Sequence, residues 1–249
     1  MRASVAALVA RKIGYLMATR PAKVSWDGGV VSFTFDDFPK SALTNGGPVL
    51  ADRGLRGTFY TALNLAGGEG NLGRMFDPEE VVAAHRAGHE IACHTYRHLD
   101  CCHAGRTEIL DELFENGAKL SALLGGAPMV NFAYPYGAVS LAAKRVVAHR
   151  FASCRGTGQG INRGMVDLAD LLGTRIYDCV FDGAVLRALI DRNKEIGGWL
   201  IFYTHDVFDM PSEFGCKPAQ LDEIVGYAAS VSDVLPVRDV VERLGFDAA

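Results

Sequence analysis

The sequence has little net charge and no long apolar run. Its 25 Lys and Arg stand against 29 Asp and Glu, a formal charge of -4 over 249 residues. That balance leaves no basic footprint for nucleic acid. No run approaches the roughly 20 apolar residues that a transmembrane segment needs. The six cysteines, Cys93, Cys101, Cys102, Cys154, Cys179 and Cys216, show no disulfide-framework spacing. They read as the reduced, mostly buried thiols of a cytoplasmic enzyme. The glycine-rich stretch with Gly67, Gly68, Gly70 and Gly73 lacks a Gly-x-x-x-x-Gly-Lys pattern. It therefore reads as a flap rather than a phosphate cradle. No linker, low-complexity stretch or internal repeat interrupts the chain, and no signature of an oligomeric state is present.

What is there is apolar substance. Hydrophobic residues make up 49% of the chain, ample for a large core. The length fits two small domains or one α/β barrel. Ala3 to Ala10 faintly resembles a signal peptide, but Arg11-Lys12 interrupts it. The expectation is an amphipathic helix within an N-terminal helical extension over 1–25, and a cytoplasmic protein. A single catalytic domain is expected over 1–249, with its core at about 28–245.

Strand and helix patterns alternate along the whole core. Strands are expected at 30–35, 57–61, 89–93, 129–134, 151–154, 173–177, 199–204 and 232–235. Helices are expected from Pro39 to about Arg53, after the Asp77-Pro78 start, after a Thr107 cap, and over 141–149, 184–196, 218–230 and 237–244. This alternation implies α/β architecture, a parallel sheet with helices outside it, closed or nearly closed as a distorted (β/α)7–8 barrel.

Two stretches organise the chemistry. Val30–Phe35 is an apolar run that stops at Asp36-Asp37, and His89–Cys93 stops at His94, with His98 four residues on. One Asp and two His form a ligand set suited to a divalent ion such as zinc. The spare carboxylate beside it suits a hydrolase. Tyr136, Arg155 and His205 also lie at or just past strand C-termini, where a barrel gathers its reactive groups. Packing alone does not explain so many polar groups at one end of successive strands. Bland readings exist for each. Asp36-Asp37 could cap the following helix, and His205 could be a satisfied core residue. His85 and His89 share the four-residue spacing, yet lie at the opposite end of the barrel and read as structural.

Thr34-Phe35-Asp36-Asp37, His94-Thr95-Tyr96-Arg97-His98, Phe132-Ala133-Tyr134-Pro135-Tyr136-Gly137 and the Leu200–His205 strand resemble the ordered motifs of the polysaccharide deacetylases, the NodB-homology enzymes of carbohydrate esterase family four. The resemblance runs from about residue 30 to 245. It implies a NodB-like barrel and hydrolysis of an N-acetyl, sometimes O-acetyl, group on a sugar. It also implies a metal held by Asp37, His94 and His98, with Zn2+ the default and Co2+ or Ni2+ compatible. Asp36 would then be the base, the Tyr136 backbone amide an oxyanion donor, and His205 the acid. The implied substrate is an acetylated amino sugar, such as a soluble or lipid-linked glycan precursor.

Two departures stand out. Ala133 occupies the place where the family often has an arginine that pairs with the base, and Arg155 is the expected replacement, in a bidentate pair with Asp36. The family's Asp–Asp-Trp motif is absent, which leaves Asp167, Asp170 and Asp178 as candidates to tune His205, with Asp206 beside it. Removal of a formyl or O-acetyl group is an alternative, as is a catalytically silent carbohydrate-binding version of the fold. A haloacid-dehalogenase-type phosphohydrolase would need its second Asp two residues after the first, where this chain has Phe38.

Overall fold

The computed structural model describes residues 17–246. Its centre is a parallel sheet of seven strands in the order β10-β11-β2-β3-β6-β7-β8. β2 (Val30–Asp36) and β11 (Trp199–Thr204) lie side by side, Trp199 opposite Val30 through Thr204 opposite Phe35. Every residue of both is buried. Strands covered on both faces read as continuous apolar runs, which is why these two were legible. β3 (Thr58–Thr61), β6 (Glu90–Cys93), β7 (Asn131–Ala133) and β8 (Ser153–Arg155) extend the sheet on one side, and β10 (Thr174–Arg175) on the other. β12 (Asp233–Val234) pairs with Val30 and Val31 at the start of β2, on the edge that β3 occupies at its end.

The sheet curls into a half-barrel. Between β8 and β10 irregular backbone fills the seam. The Cys154 amide donates to the Leu168 carbonyl (2.6 Å), the Leu171 amide to the Cys154 carbonyl (2.8 Å), and the Gly156 amide to the Leu171 carbonyl (2.9 Å). Helices cover the outside. α2 (Pro78–Arg86) starts in a capping box between Asp77 and Glu80, α3 runs Arg106–Leu123 and α4 Leu141–Val147. α5 (Gly183–Ile196), α6 (Pro218–Val231) and α7 (Val237–Arg243) complete the layer. Phe33, Phe35, Leu200 and Phe202 pack with Ile190, Leu221, Ile224 and Val225 into the largest core cluster. α5 stops at Gly197, where φ is +64° and an added Cβ would lie 2.0 Å from the Trp26 carbonyl oxygen, which excludes any side chain.

Several local expectations are corrected. Of the extension expected to be helical over 1–25, residues 1–16 lie outside the described residues. Residues 21–24 form a strand, β1 (Pro21–Val24), paired antiparallel with β9 (Gly164–Asp167). β9 was not expected, because four partly exposed residues carry no apolar pattern. The helix expected from Pro39 to Arg53 contains a π-turn, Ala42–Gly46, before α1 (Gly47–Ala51). Pro48 has no amide to give to the preceding turn, and widening that turn accommodates the loss. α3 begins after Gly105, so Thr107 lies inside it rather than capping it.

Candidate active site

The strand ends deliver their polar groups to one cleft of about 630 Å³. Asp36 is the last residue of β2, and Asp37 follows with φ +61°. His94 follows β6, and the chain turns through Thr95 (φ +60°) to His98 (φ +58°). Tyr136 (φ +59°) lies in the turn after β7, Arg155 ends β8, and His205 follows β11. Among the described residues, the non-glycines in the left-handed region are Asp37, Phe38, Thr95, His98 and Tyr136. Each such residue costs about 1–2 kcal/mol, and all five belong to or adjoin this cleft. Backbone strain is concentrated where side chains must be aimed.

Asp37, His94 and His98 form a tight cluster whose ligand atoms lie within 4.8 Å of one another. His94 Nε2 is 3.3 Å and His98 Nε2 3.1 Å from Asp37 Oδ1. The Nδ1 of His94 is 2.8 Å from the Ala133 carbonyl. In the tautomer that donates there, Nε2 is the lone pair that faces Asp37. Burial, then the neighbouring His94, pushes the His98 pKa down to about 4, so this imidazole is neutral near pH 7. Burial works to raise the Asp37 pKa, but the facing imidazoles of His94, then His98, outweigh it and hold the carboxyl ionised. Asp37 Oδ1 is buried and receives no hydrogen bond. A buried anionic oxygen and two imidazole lone pairs converging on one point form a donor set that fits a divalent cation.

Asp36 lies beside this cluster and is paired with Arg155. Nη2 of Arg155 is 2.5 Å from both carboxylate oxygens. The pair expected from the sequence is present, but where a bidentate contact was expected a single nitrogen bridges both oxygens. Nη1 turns away to the Gly156 carbonyl at 2.9 Å. The guanidinium lies between two aromatic faces, 5.2 Å from the Tyr60 ring centre and 4.7 Å from that of Tyr203. Such stacking holds a planar cation in place. Tyr60 also packs with Ala92 and Ala133, so its ring takes the room that a longer side chain at 133 would fill.

His205 lines the same cleft, and its Nδ1 is 3.2 Å from the Phe214 carbonyl. The aspartates expected to tune it are engaged elsewhere. Asp167 holds Lys144 and the amides of Thr19 and Arg20, Asp170 faces Lys144, and Asp178 holds Lys217 and Gln220. Asp206 accepts the amide (2.8 Å) and hydroxyl (2.5 Å) of Ser212, tying the loop after β11. The Tyr136 side chain is 67% exposed and its ring packs 4.4 Å from that of His98, roofing one imidazole. Residues that sequence reasoning missed complete the walls. Tyr177 meets the rings of Tyr203 and Phe214 edge to face at 5.6 and 5.9 Å, while the rim is formed by the hairpin of β4 (Glu69–Gly70) and β5 (Gly73–Arg74), where a flap was expected. Tyr203 was hidden inside an apolar strand pattern. Phe214 lies in a loop with no periodicity to mark it.

Comparison with known proteins agrees with this arrangement. No curated protein matches the sequence. PdaA of Bacillus subtilis, a family 4 carbohydrate esterase, shares the fold at a TM-score of 0.60 and 13% identity, over 97% of this chain and 91% of that one. A family 4 acetyl xylan esterase from Clostridium thermocellum, solved with a cobalt ion, gives 0.59 and 19% identity over 88% and 93%. The carbohydrate esterase domain of a xylanase from the hindgut metagenome of Trinervitermes trinervoides gives 0.59 and 19% identity over 89% and 93%. The family model described as polysaccharide deacetylase matches residues 23–150, the stretch that holds the paired aspartates, His94, His98 and the Tyr136 turn. With that match over half its length and the half-barrel around it, the chain belongs to the polysaccharide deacetylase family, the NodB-homology proteins of carbohydrate esterase family four.

Proposed function

We propose that this protein is a metal-dependent hydrolase that removes an N-acetyl group from an acetamido sugar or oligosaccharide. The observation that carries this reading is the unpartnered, buried Asp37 Oδ1 facing two imidazole nitrogens, directly beside the Asp36–Arg155 pair. Asp37, His94 and His98 would hold one divalent ion, zinc by default. When bound, such an ion supplies Lewis acidity, which an unreactive amide carbonyl requires.

The remaining work falls to the chain. Asp36 takes the proton from the attacking water, and Arg155 holds its carboxylate in a fixed orientation. The Tyr136 backbone amide donates toward the oxygen that gains charge as the carbonyl becomes tetrahedral. His205, anchored through Nδ1, presents Nε2 to the cleft and protonates the leaving amine. Tyr136, Tyr177 and Phe214 offer aromatic surface for the sugar ring.

One observation favours a second reading, removal of O-acetyl groups. His205 rests on a neutral carbonyl and not on a carboxylate, and an ester leaving group needs less proton donation than an amine. A panel of N- and O-acetylated sugars, assayed for acetate with and without chelator, decides. Loss of release in chelator and recovery on adding zinc is the expected result. Full activity in chelator, or no acetate from any sugar, overturns the proposal.

A further inference from the structure

Glu112 and Asn116 lie on α3, well outside the cleft, and both are fully buried. A four-residue spacing puts them on one helix face, in line with the apolar Ile109, Leu113 and Leu120. A carboxylate in such a stripe needs a strong reason to be there. It has one. Glu112 Oε2 accepts the amides of Tyr96 (2.9 Å) and Arg97 (2.7 Å), and Oε1 pairs with Arg97 Nε at 2.7 Å. One turn further on, Asn116 donates to the Thr61 carbonyl (2.8 Å) and to Cys93 Sγ (3.3 Å), and accepts the Leu63 amide (3.0 Å). Cys93 immediately precedes His94, and Tyr96 and Arg97 lie between His94 and His98.

The two side chains therefore grip the His94–His98 turn from behind, at its start and at its crest. That turn is strained, with Thr95 and His98 both left-handed. Without the grip it would relax toward ordinary backbone conformations, and the two Nε2 atoms would no longer converge on Asp37. The Thr95 hydroxyl, which accepts the Leu99 amide at 2.8 Å, adds a local tie.

We infer that Glu112, supported by Asn116, is a positioning residue that sets the metal affinity of the site by clamping the His94–His98 turn. This rests on the reading of Asp37, His94 and His98 as metal ligands. Loss of groups that orient metal ligands typically weakens binding by about 10–100-fold.

The test uses the full chain, stripped of metal and titrated with zinc against a chromophoric chelator. A parallel titration with cobalt follows its absorption spectrum. Amide hydrogen exchange of the metal-free protein reports the turn itself. Glu112→Ala is expected to weaken zinc binding by about 10–100-fold, shift the cobalt spectrum, and speed exchange at Tyr96 and Arg97. Glu112→Gln keeps the volume and one acceptor oxygen, and falls between. It carries the test if the alanine variant does not fold. Arg97→Ala removes only an exposed partner, 62% accessible, and leaves zinc affinity within about twofold. Wild-type zinc affinity and cobalt spectrum in Glu112→Gln and Glu112→Ala would overturn the inference, and so would a loss of thermal stability with no change in affinity. A wild-type protein that binds no ion would overturn the metal reading itself, and this inference with it.

Discussion

Nη2 of Arg155 bridges both carboxylate oxygens of Asp36 at 2.5 Å, although β8 and β2 are separated by three strands in the sheet. The contact crosses the interior of the half-barrel, and only a strongly curled sheet permits it. Lysine at 155 would keep a charge but lose the planar contact with Tyr60 and Tyr203 and the anchor on Gly156. Arg155→Lys should lower kcat by at least about tenfold, measured as initial rates of acetate release. An unchanged kcat with a raised KM would assign Arg155 to substrate binding.

The two adjacent aspartates should separate cleanly. Asp36→Asn keeps the ligand cluster intact, so zinc should still bind while turnover drops by about 10²–10⁴-fold, the usual contribution of a general base. Asp37→Asn removes the only carboxylate of the cluster and should lose zinc affinity first, with activity partly restored at high zinc. Zinc titration of both variants, with acetate release as readout, checks this. Wild-type rates in Asp36→Asn would show that another group is the base.

His205→Ala tests the acid. Amide hydrolysis should fall by about 10²–10⁴-fold, and hydrolysis of a matched acetyl ester by clearly less, because an alkoxide leaves with less assistance. Equal losses on the two substrates would mean that His205 binds or braces.

His89 predicts a pH dependence of stability unrelated to catalysis. It accepts the Gly57 amide through Nδ1 at 3.0 Å. Burial, then the charge of Arg56, pushes its pKa from 6.5 down to about 4. Between those values the unfolded chain takes up a proton that the folded chain does not. Its stabilising contribution is complete above pH 6.5 and is lost as pH falls toward 4. His89→Asn retains an acceptor that does not titrate. On acidification over that window the wild type should lose on the order of 2 kcal/mol more than the variant, measured by denaturant unfolding. Parallel curves for the two proteins would rule this out.

Legibility followed chemistry and burial. β2 and β11 were readable because both faces are covered, and Asp36, Asp37, His94, His98 and His205 because they interrupt apolar runs at the same end. Arg155 was found from its position at the end of its strand, but not the manner of its contact with Asp36, which depends on where Tyr60, Tyr203 and the Gly156 carbonyl sit. β1 and β9 were missed because each is stable only through the other, and neither carries a pattern of its own. The contact of His205 with the Phe214 carbonyl could not be read, since it turns on the path of the loop that brings Phe214 back. Glu112 and Asn116 did leave a signal, as polar residues within the apolar stripe of α3.

The shared edge of β2 has a consequence for how the chain matures. β12 pairs with the start of β2 across roughly 200 residues, and β11 with its full length across about 170. A chain emerging from the ribosome therefore holds the buried strand Val30–Asp36 without lateral partners on one side until most of the sequence has been made. The paired aspartates ride on that strand. Assembly of the catalytic end is thus expected to be a late event, one that depends on molecular chaperones during synthesis and proceeds slowly on dilution from denaturant.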